Sequence, residues 1–256
     1  MTLLATTRRS RIMDLLHSQD SVRTEEIAQS LGVSVETVRR DLARLEQSGE
    51  LTRVHGGAVA AAVPGSTEPA FDTREEIAAE AKTAVARTAA ELMTSAHTIF
   101  IDIGTTATTV ARQVPSDLRA TVITPSIRVA QILAEHPSLS VLMVGGLVRA
   151  GDLATSGATA VDFLREVHPD VAFLGSGGLS VQHGLTDYEL GEVPVKRMVL
   201  HNSHRTFVLA DSSKVGVVAP WHVCALTDMT GVITDSGLPR RERESLEAAG
   251  VGLLIA

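Results

Sequence analysis

Apolar residues between Ser34 and Leu45 recur at helical spacing: Val35, Val38, Leu42 and Leu45 fall at i, i+3, i+7 and i+10 and line one side of a helix. At about 100° per residue, Thr37, Arg40 and Arg44 then point away from that side, while Arg39 sits nearer its shoulder and Asp41 flanks the opposite edge. Ser34 is placed to cap the amino end, and Gly32 supplies a sharp turn just before it. Glu36 and Arg40 are spaced for an exposed i, i+4 pair worth about 0.3 to 0.5 kcal/mol, as on any solvated helix face.

The neighbouring pattern gives this helix a context. Residues 24–31 (TEEIAQSL) form a short helix with Thr24 as its expected cap and with Ile27 and Leu31 on one side. Upstream, Arg8 to Ser18 is a first helix with Ile12, Leu15 and Leu16 inward and Arg8, Arg9 and Arg11 near its amino end. Downstream, Gly49 ends the arginine-bearing helix, and LTRVHGGAV is β-like and broken by Gly56 and Gly57, so it reads as a hairpin. Three helices and a hairpin make a winged helix-turn-helix. Its expected DNA-contacting set is Ser34, Thr37, Arg39, Arg40, Arg44, Arg53 and His55, the last two on the wing against backbone or minor groove. His55 also suits an ordinary exposed turn position.

Beyond this head, over residues 1–58, the pattern changes twice. Residues 59–71 are small and Pro/Gly rich, without an apolar period, and read as a linker. The body, residues 72–256, opens with an alanine- and glutamate-rich helical stretch over 72–95 and then alternates helices with apolar β-rich runs. Strands are expected at 97–103, 120–125, 138–145, 170–175, 205–211, 230–235 and 251–255. Their lack of strict alternation suits strands covered on both faces, so the fold class is α/β: a winged helix-turn-helix followed by a layered, mostly parallel α/β domain.

Charge sharpens the division. The formal net charge is −7, but the chain through Gly57 carries eight basic and eight acidic residues, so the excess lies wholly in the remainder. A neutral head with clustered arginines can bind phosphate while an acidic body is kept off the duplex. Aromatics make up 3% of the chain, too few for a protein that stacks unpaired bases. The single cysteine, Cys224, excludes an intrachain disulfide, the first residues lack the order of a secretory signal, and no apolar run is long enough to span a bilayer. The expectation is a soluble, cytoplasmic protein with no membrane partner.

Ligands of parallel α/β sheets bind beyond the carboxyl ends of strands. The loop Asp102-Ile-Gly104-Thr105-Thr106 leaves a strand and enters a helix; its glycine, hydroxyls and helix-start N–H groups suit a phosphate dianion, and equally an ordinary strand-to-helix turn. Thr124 to Ser126, Gly145 and Gly146, Gly175 to Gly178 with Gly177, Gly184 to Asp187, and Asp211 to Lys214 add glycine- and hydroxyl-rich loops that look like parts of one pocket. Lys196 and Lys214 are candidate cations, Asp102 and Asp211 candidate acceptors of sugar hydroxyls, and Arg149 either reaches the ligand or pairs with an acid. Neither GxxxxGK[ST] nor GxGxxG is present, and His201 and His204 lack a third ligand nearby, so no nucleotide or metal cofactor is expected. Trp221 reads as a packing residue.

The stretch SVETVRRDLARLEQSGELTRVHGGA resembles the amino-terminal signature of the DeoR family of bacterial transcription regulators, and the loops after residue 96 resemble that family's sensor domain. The resemblance implies binding of double-stranded operator DNA, repression of a sugar or nucleoside catabolic operon, release by a phosphorylated sugar effector and assembly as a homo-oligomer, dimer or tetramer. It also implies a sensor related in fold to ribose-5-phosphate isomerase, which makes a sugar-phosphate isomerase the alternative to a non-enzymatic regulator. Pro125 stands where family members commonly carry an asparagine, removing one amide contact with the effector.

Overall fold

The computed structural model describes residues 5–19, 22–47, 51–54, 56–60 and 68–256, and the chain divides into two compact units, Met1–Ala78 and Ala79–Ala256. His55, Gly49 and most of the expected linker lie outside the described residues. In the first unit, α1 (Ala5–Ser18), β1 (Val22–Arg23), α2 (Thr24–Leu31), α3 (Val35–Gln47), β2 (Leu51–Val54) and β3 (Gly57–Ala60) follow in order. Ile12, Leu16, Ile27, Leu31, Val38, Leu42, Leu45 and Leu51 pack into its core, so the expected stripe of α3 does face inward. Each large side chain of this kind contributes about 1.5 to 3 kcal/mol when fully buried.

The tight turn between α2 and α3 is a Schellman motif. Gly32 lies at φ +64°, its N–H meets the Gln29 carbonyl at 3.4 Å, and the Val33 N–H meets the Ala28 carbonyl at 3.1 Å. Thr24 is not a cap, as expected from sequence, but the first residue of α2; its N–H donates to the Gly56 carbonyl at 2.8 Å. The hairpin is also wider than expected, because β1 joins it antiparallel in the order β1-β3-β2. Gly57 allows this: a Cβ there would stand 2.4 Å from the Val22 carbonyl oxygen. Arg8, near the amino end of α1, and Asp41, on the flank of the apolar stripe of α3, are buried as an ion pair between the two helices.

The expected helix over 72–95 is broken into α4 (Phe71–Glu76) and α5 (Ala79–Glu91), with Ala78 in the left-handed region at φ +53°. Arg74 secures α4, donating to Glu68 Oε1 and the Pro69 carbonyl, each at 2.9 Å, and lying over the Phe71 ring.

In the second unit the seven expected strands are all present: β4 (Thr98–Ile101), β5 (Ala120–Thr124), β6 (Leu139–Met143), β9 (Val171–Gly175), β12 (Arg205–Leu209), β14 (Gly231–Thr234) and β15 (Gly252–Ile255). They form one sheet, parallel throughout, in the order β15-β14-β12-β9-β4-β5-β6. The chain winds outward from β4 to β6, returns, and winds outward again from β9, so the strand order reverses between β4 and β9. Both faces are covered. Ile99, Ile101, Phe173 and Leu209 pack under α5, α6 (Thr105–Arg112) and α7 (Ile127–Ala134). Phe100, Leu174, Val208 and Val232 pack under α8 (Ala158–Arg165), α9 (Val193–Asn202) and α10 (Arg240–Ala248). Two smaller antiparallel pieces were not expected: the hairpin β7 (Leu147–Arg149) with β8 (Ala154–Ser156), and a sheet of β10 (Gly178–Ser180), β11 (Gly184–Asp187) and β13 (Trp221–Cys224).

The Arg8–Asp41 pair makes a stability prediction. Asp41→Ala removes the carboxylate that meets Arg8 Nε and should destabilise the head by about 1 to 3 kcal/mol, whereas the double change Arg8→Met, Asp41→Leu should recover most of it, read by circular-dichroism melting of the full chain.

Candidate functional site

The head presents one polar helix face. Ser34 Oγ accepts the Thr37 N–H at 3.2 Å and lies 2.8 Å from Thr37 Oγ1, capping α3 as expected and fixing its first turn. Arg39, Arg40 and Arg44 are exposed and Thr37 is half-buried. Glu36 pairs with Arg39 at 3.8 Å rather than with Arg40, which the i, i+4 spacing had favoured. Arg53 is not a free wing cation: its N–H and Nε donate to the two oxygens of Glu46, at 3.1 and 2.7 Å, clasping β2 to α3. A cavity of about 400 Å³ in this unit is lined by three acids, Glu25, Asp72 and Glu76, against one arginine, Arg23, a net negative lining that disfavours phosphate. The geometry is that of a helix whose exposed side can enter a major groove with arginines at its margins.

In the body, parallel pairing puts every strand's carboxyl end on one edge of the sheet. Asp102 and Gly104 follow β4, Thr124 to Ser126 end β5, Gly145 and Gly146 follow β6, Gly175 to Gly177 follow β9, and Asp211 to Lys214 follow β12. The expected loops therefore sit on consecutive strands, around the reversal between β4 and β9. Gly104 at φ +97° starts α6 without a side-chain cap, and the first intrahelical bond there is Thr108 N–H to the Gly104 carbonyl at 3.0 Å, so the preceding N–H groups of Thr105, Thr106 and Ala107 have no helical partner.

At the reversal, charges are buried. Lys196 on α9, 3% exposed, places Nζ 2.5 Å from Asp187 Oδ2, 3.2 Å from Asp102 Oδ2 and 2.9 Å from the Gly175 carbonyl. The Gly175 N–H donates to Asp102 Oδ2 at 2.9 Å. Burial opposes the Lys196 charge, but Asp102, Asp187 and Glu192 outweigh it and hold its pKa above the usual lysine value. The two acids part ways: burial raises the Asp102 pKa in spite of Lys196, whereas the closer contact with Lys196 overcomes burial at Asp187 and lowers its pKa. Beside them Arg149 Nη2 meets Asp152 at 2.6 Å, Nη1 meets Glu189 at 3.3 Å, and Nη2 also contacts Glu192. Arg149 pairs with acids, the second of its two sequence readings.

Several expected ligand residues have structural duties. Thr124 and Ser126 are buried; Thr124 Oγ1 accepts the Ser126 N–H at 3.1 Å and Ser126 caps α7. Pro125 offers its carbonyl to the Thr155 N–H at 2.8 Å and so anchors β8. Gly184 is required by packing, since a Cβ there would lie 2.0 Å from the Cys224 carbonyl oxygen, and Gly146 similarly meets Ser156 at 2.4 Å. Asp211 accepts the Ser213 N–H at 3.1 Å, capping the short turn Ser212–Lys214, and Lys214 is half-buried. Gly104 and Thr106 are half-buried and Gly145 is exposed, with nothing within 4 Å of a Cβ placed on it. Trp221, expected to pack, is 42% exposed on β13. The carboxylates of Asp152, Asp187, Glu189 and Glu192 received no role from sequence, although Glu192 and Lys196 stand one helical turn apart.

Residues 8–62 match the DeoR-like helix-turn-helix domain family, and residues 77–236 match the DeoR C terminal sensor domain family. The HTH-type transcriptional regulator GolR of Listeria innocua is 30% identical over 97% of this chain and 98% of its own. The glycerol-3-phosphate regulon repressor of Escherichia coli K12 is 31% identical over 91% of this chain and 92% of its own. Among solved structures, ribose 5-phosphate isomerase A from Methanocaldococcus jannaschii aligns with a TM-score of 0.40 and 19% identity, over 54% of this chain and 55% of that one. An arginine-faced α3 held against a wing, an α/β body later in the chain, and matches that run from residue 8 to residue 236 lead to one statement: the chain belongs to the DeoR family of DNA-binding transcriptional regulators.

Proposed function

We propose that this regulator works in the cytoplasm as the repressor of a sugar or nucleoside catabolic operon and is released by a phosphorylated sugar bound in its body. The observation that carries the effector reading is the run of glycine-bearing loops on adjacent strand ends, with Gly145 and Gly146 exposed, beside the uncapped start of α6, which together suit a phosphate dianion. The name of the Escherichia coli relative, a glycerol-3-phosphate regulon repressor, supports a phosphorylated effector. Of Asp102, Asp211 and Lys214, the groups an aldose–ketose isomerase could use for proton transfer, Asp102 is buried against Lys196 and Asp211 caps the Ser212–Lys214 turn, which favours binding without turnover. On DNA, Thr37, Arg39 and Arg40 read the major groove and Arg44 takes a phosphate, while Arg53, clasped by Glu46, holds the wing against α3.

A second copy of the chain is the proposed partner that supplies the second head. The open edge of the large sheet, β6, exposes Leu142 and Met143, the neighbouring β7 exposes Leu147 and Val148, and residues 138–148 contain no charged side chain. An uncharged apolar edge is self-complementary, as an isologous contact must be. Effector binding that favours one arrangement of the heads by about 1 to 3 kcal/mol changes operator occupancy several-fold to a hundredfold.

Three outcomes are expected. Arg40→Ala should abolish specific duplex binding in a gel-shift assay without changing the melting temperature; unchanged binding would sink the assignment of α3. A panel of sugar phosphates, followed by Trp221 emission and melting temperature, should contain a ligand that shifts both and releases the operator; a panel without effect removes the effector reading, and turnover of any member restores the isomerase. Leu147→Asp should lower the assembly state seen by light scattering, and an unaltered mass would exclude this edge as the interface.

A further inference from the structure

We propose that Glu189 and Glu192 act as internal competitors of the effector: in the free protein they occupy Arg149, the cation that receives the ligand's phosphate, and the phosphate must displace them. This deepens the sugar-phosphate reading and rests on it. The starting point is a local imbalance. Among the described residues, Arg149 and Lys196 face five carboxylates, those of Asp102, Asp152, Asp187, Glu189 and Glu192. Lys196 is enclosed and its three contacts are short, so it has nothing to offer an incoming anion.

Arg149 differs in both respects. Its side chain is 29% exposed, and its carboxylates come from two separate segments. Asp152, buried and only three residues away, is a partner built into the β7–β8 hairpin. Glu189 and Glu192 reach it from residues 188–192, which belong to neither β11 nor α9 and carry the exposed Leu190 and Gly191. Glu189, whose side chain is 42% exposed, can withdraw without breaking a strand pairing, whereas Glu192 is buried at the start of α9 with its carbonyl accepting the Lys196 N–H at 3.0 Å, so only its side chain can turn away. A guanidinium has five N–H donors in a fixed fork, so the edge left by Asp152 matches a phosphate as well as it matches a carboxylate.

The same arrangement selects for charge. A neutral sugar gains too little at this edge to separate an arginine from two acids, whereas a phosphate dianion replaces like with like. Burial pushes the Glu192 pKa up to about 8 against the pull of Lys196 and Arg149, with Asp187 and Asp102 adding to the rise. Below that value Glu192 carries a proton and competes weakly; as pH rises through it, Glu192 becomes a carboxylate and competes fully. Anion binding at Arg149 therefore weakens with rising pH.

The test is calorimetric titration of the full-length protein with sulfate, which stays a dianion across the range, comparing wild type with Glu189→Gln and with Glu189→Gln/Glu192→Gln. Above pH 8, where Glu192 is a carboxylate, the double variant should bind sulfate at least about tenfold more tightly than wild type, and its affinity should stay flat where that of wild type falls with rising pH. Adding Arg149→Ala to the double variant should erase the gain. Should the double variant melt early, Glu189→Gln alone, at a half-exposed position, should show a smaller gain of the same sign. No tightening in either variant, or a gain that survives Arg149→Ala, overturns the proposal. A sugar-phosphate panel that fails on wild type while the sulfate gain appears retires the effector reading alone, and the reverse result retires only the competitors.

Discussion

A lysine ammonium buried at the one place where the strand order reverses is the constraint around which the body is arranged. Lys196 joins the end of β4 through Asp102, the end of β9 through the Gly175 carbonyl, and β11 through Asp187, while its own helix lies across the sheet. Removing three charged groups from water costs several kcal/mol per ion, and the geometry returns that only because every group involved has a partner. Gly175 is part of this closure, since a Cβ there would stand 3.0 Å from the Ile103 carbonyl oxygen and 3.9 Å from Lys196 Nζ. Apolar residues of similar volume would hold three elements together as well, so the charges point to a use beyond stability.

The two units solve the same problem at different scales. The head has a single small core and adds a buried ion pair, a Schellman turn and a glycine contact to fix α3 against its neighbours. The body covers both faces of its parallel sheet with separate clusters and keeps only the strand-end edge for polar chemistry. A DNA-binding domain of balanced charge and an acidic sensor domain thus coexist on one chain.

The strands of the body and the helices of the head were legible because their signal is periodic and local. Val35, Val38, Leu42 and Leu45 repeat as a helix, and the runs at β4, β9, β12 and β14 are apolar on both faces, as covered parallel strands are. What escaped was non-local or strained. Nothing in an alanine-rich run marks Ala78 as a break, since alanine has no preference for positive φ. Strands β10 and β11 are three and four residues long and glycine-bearing, so they read as loops. The partners of Arg149 and Lys196 lie up to 94 residues from the cation they hold, as Asp102 does from Lys196, and only folding brings them together. Residues such as Thr124 and Gly184 showed the opposite error: polar or small types chosen for turns and close packing look like ligand contacts in a bare sequence.

The clasp of Glu46 on both the backbone and the side chain of Arg53 has a consequence for how operator preference can drift. Because α3 and the wing are locked as a single die, substitutions on the outward side of the helix can change which bases are favoured while the distance between helix and wing contacts stays constant. New operators are then reached by altering letters at fixed spacing, and loss of Glu46 would loosen that spacing.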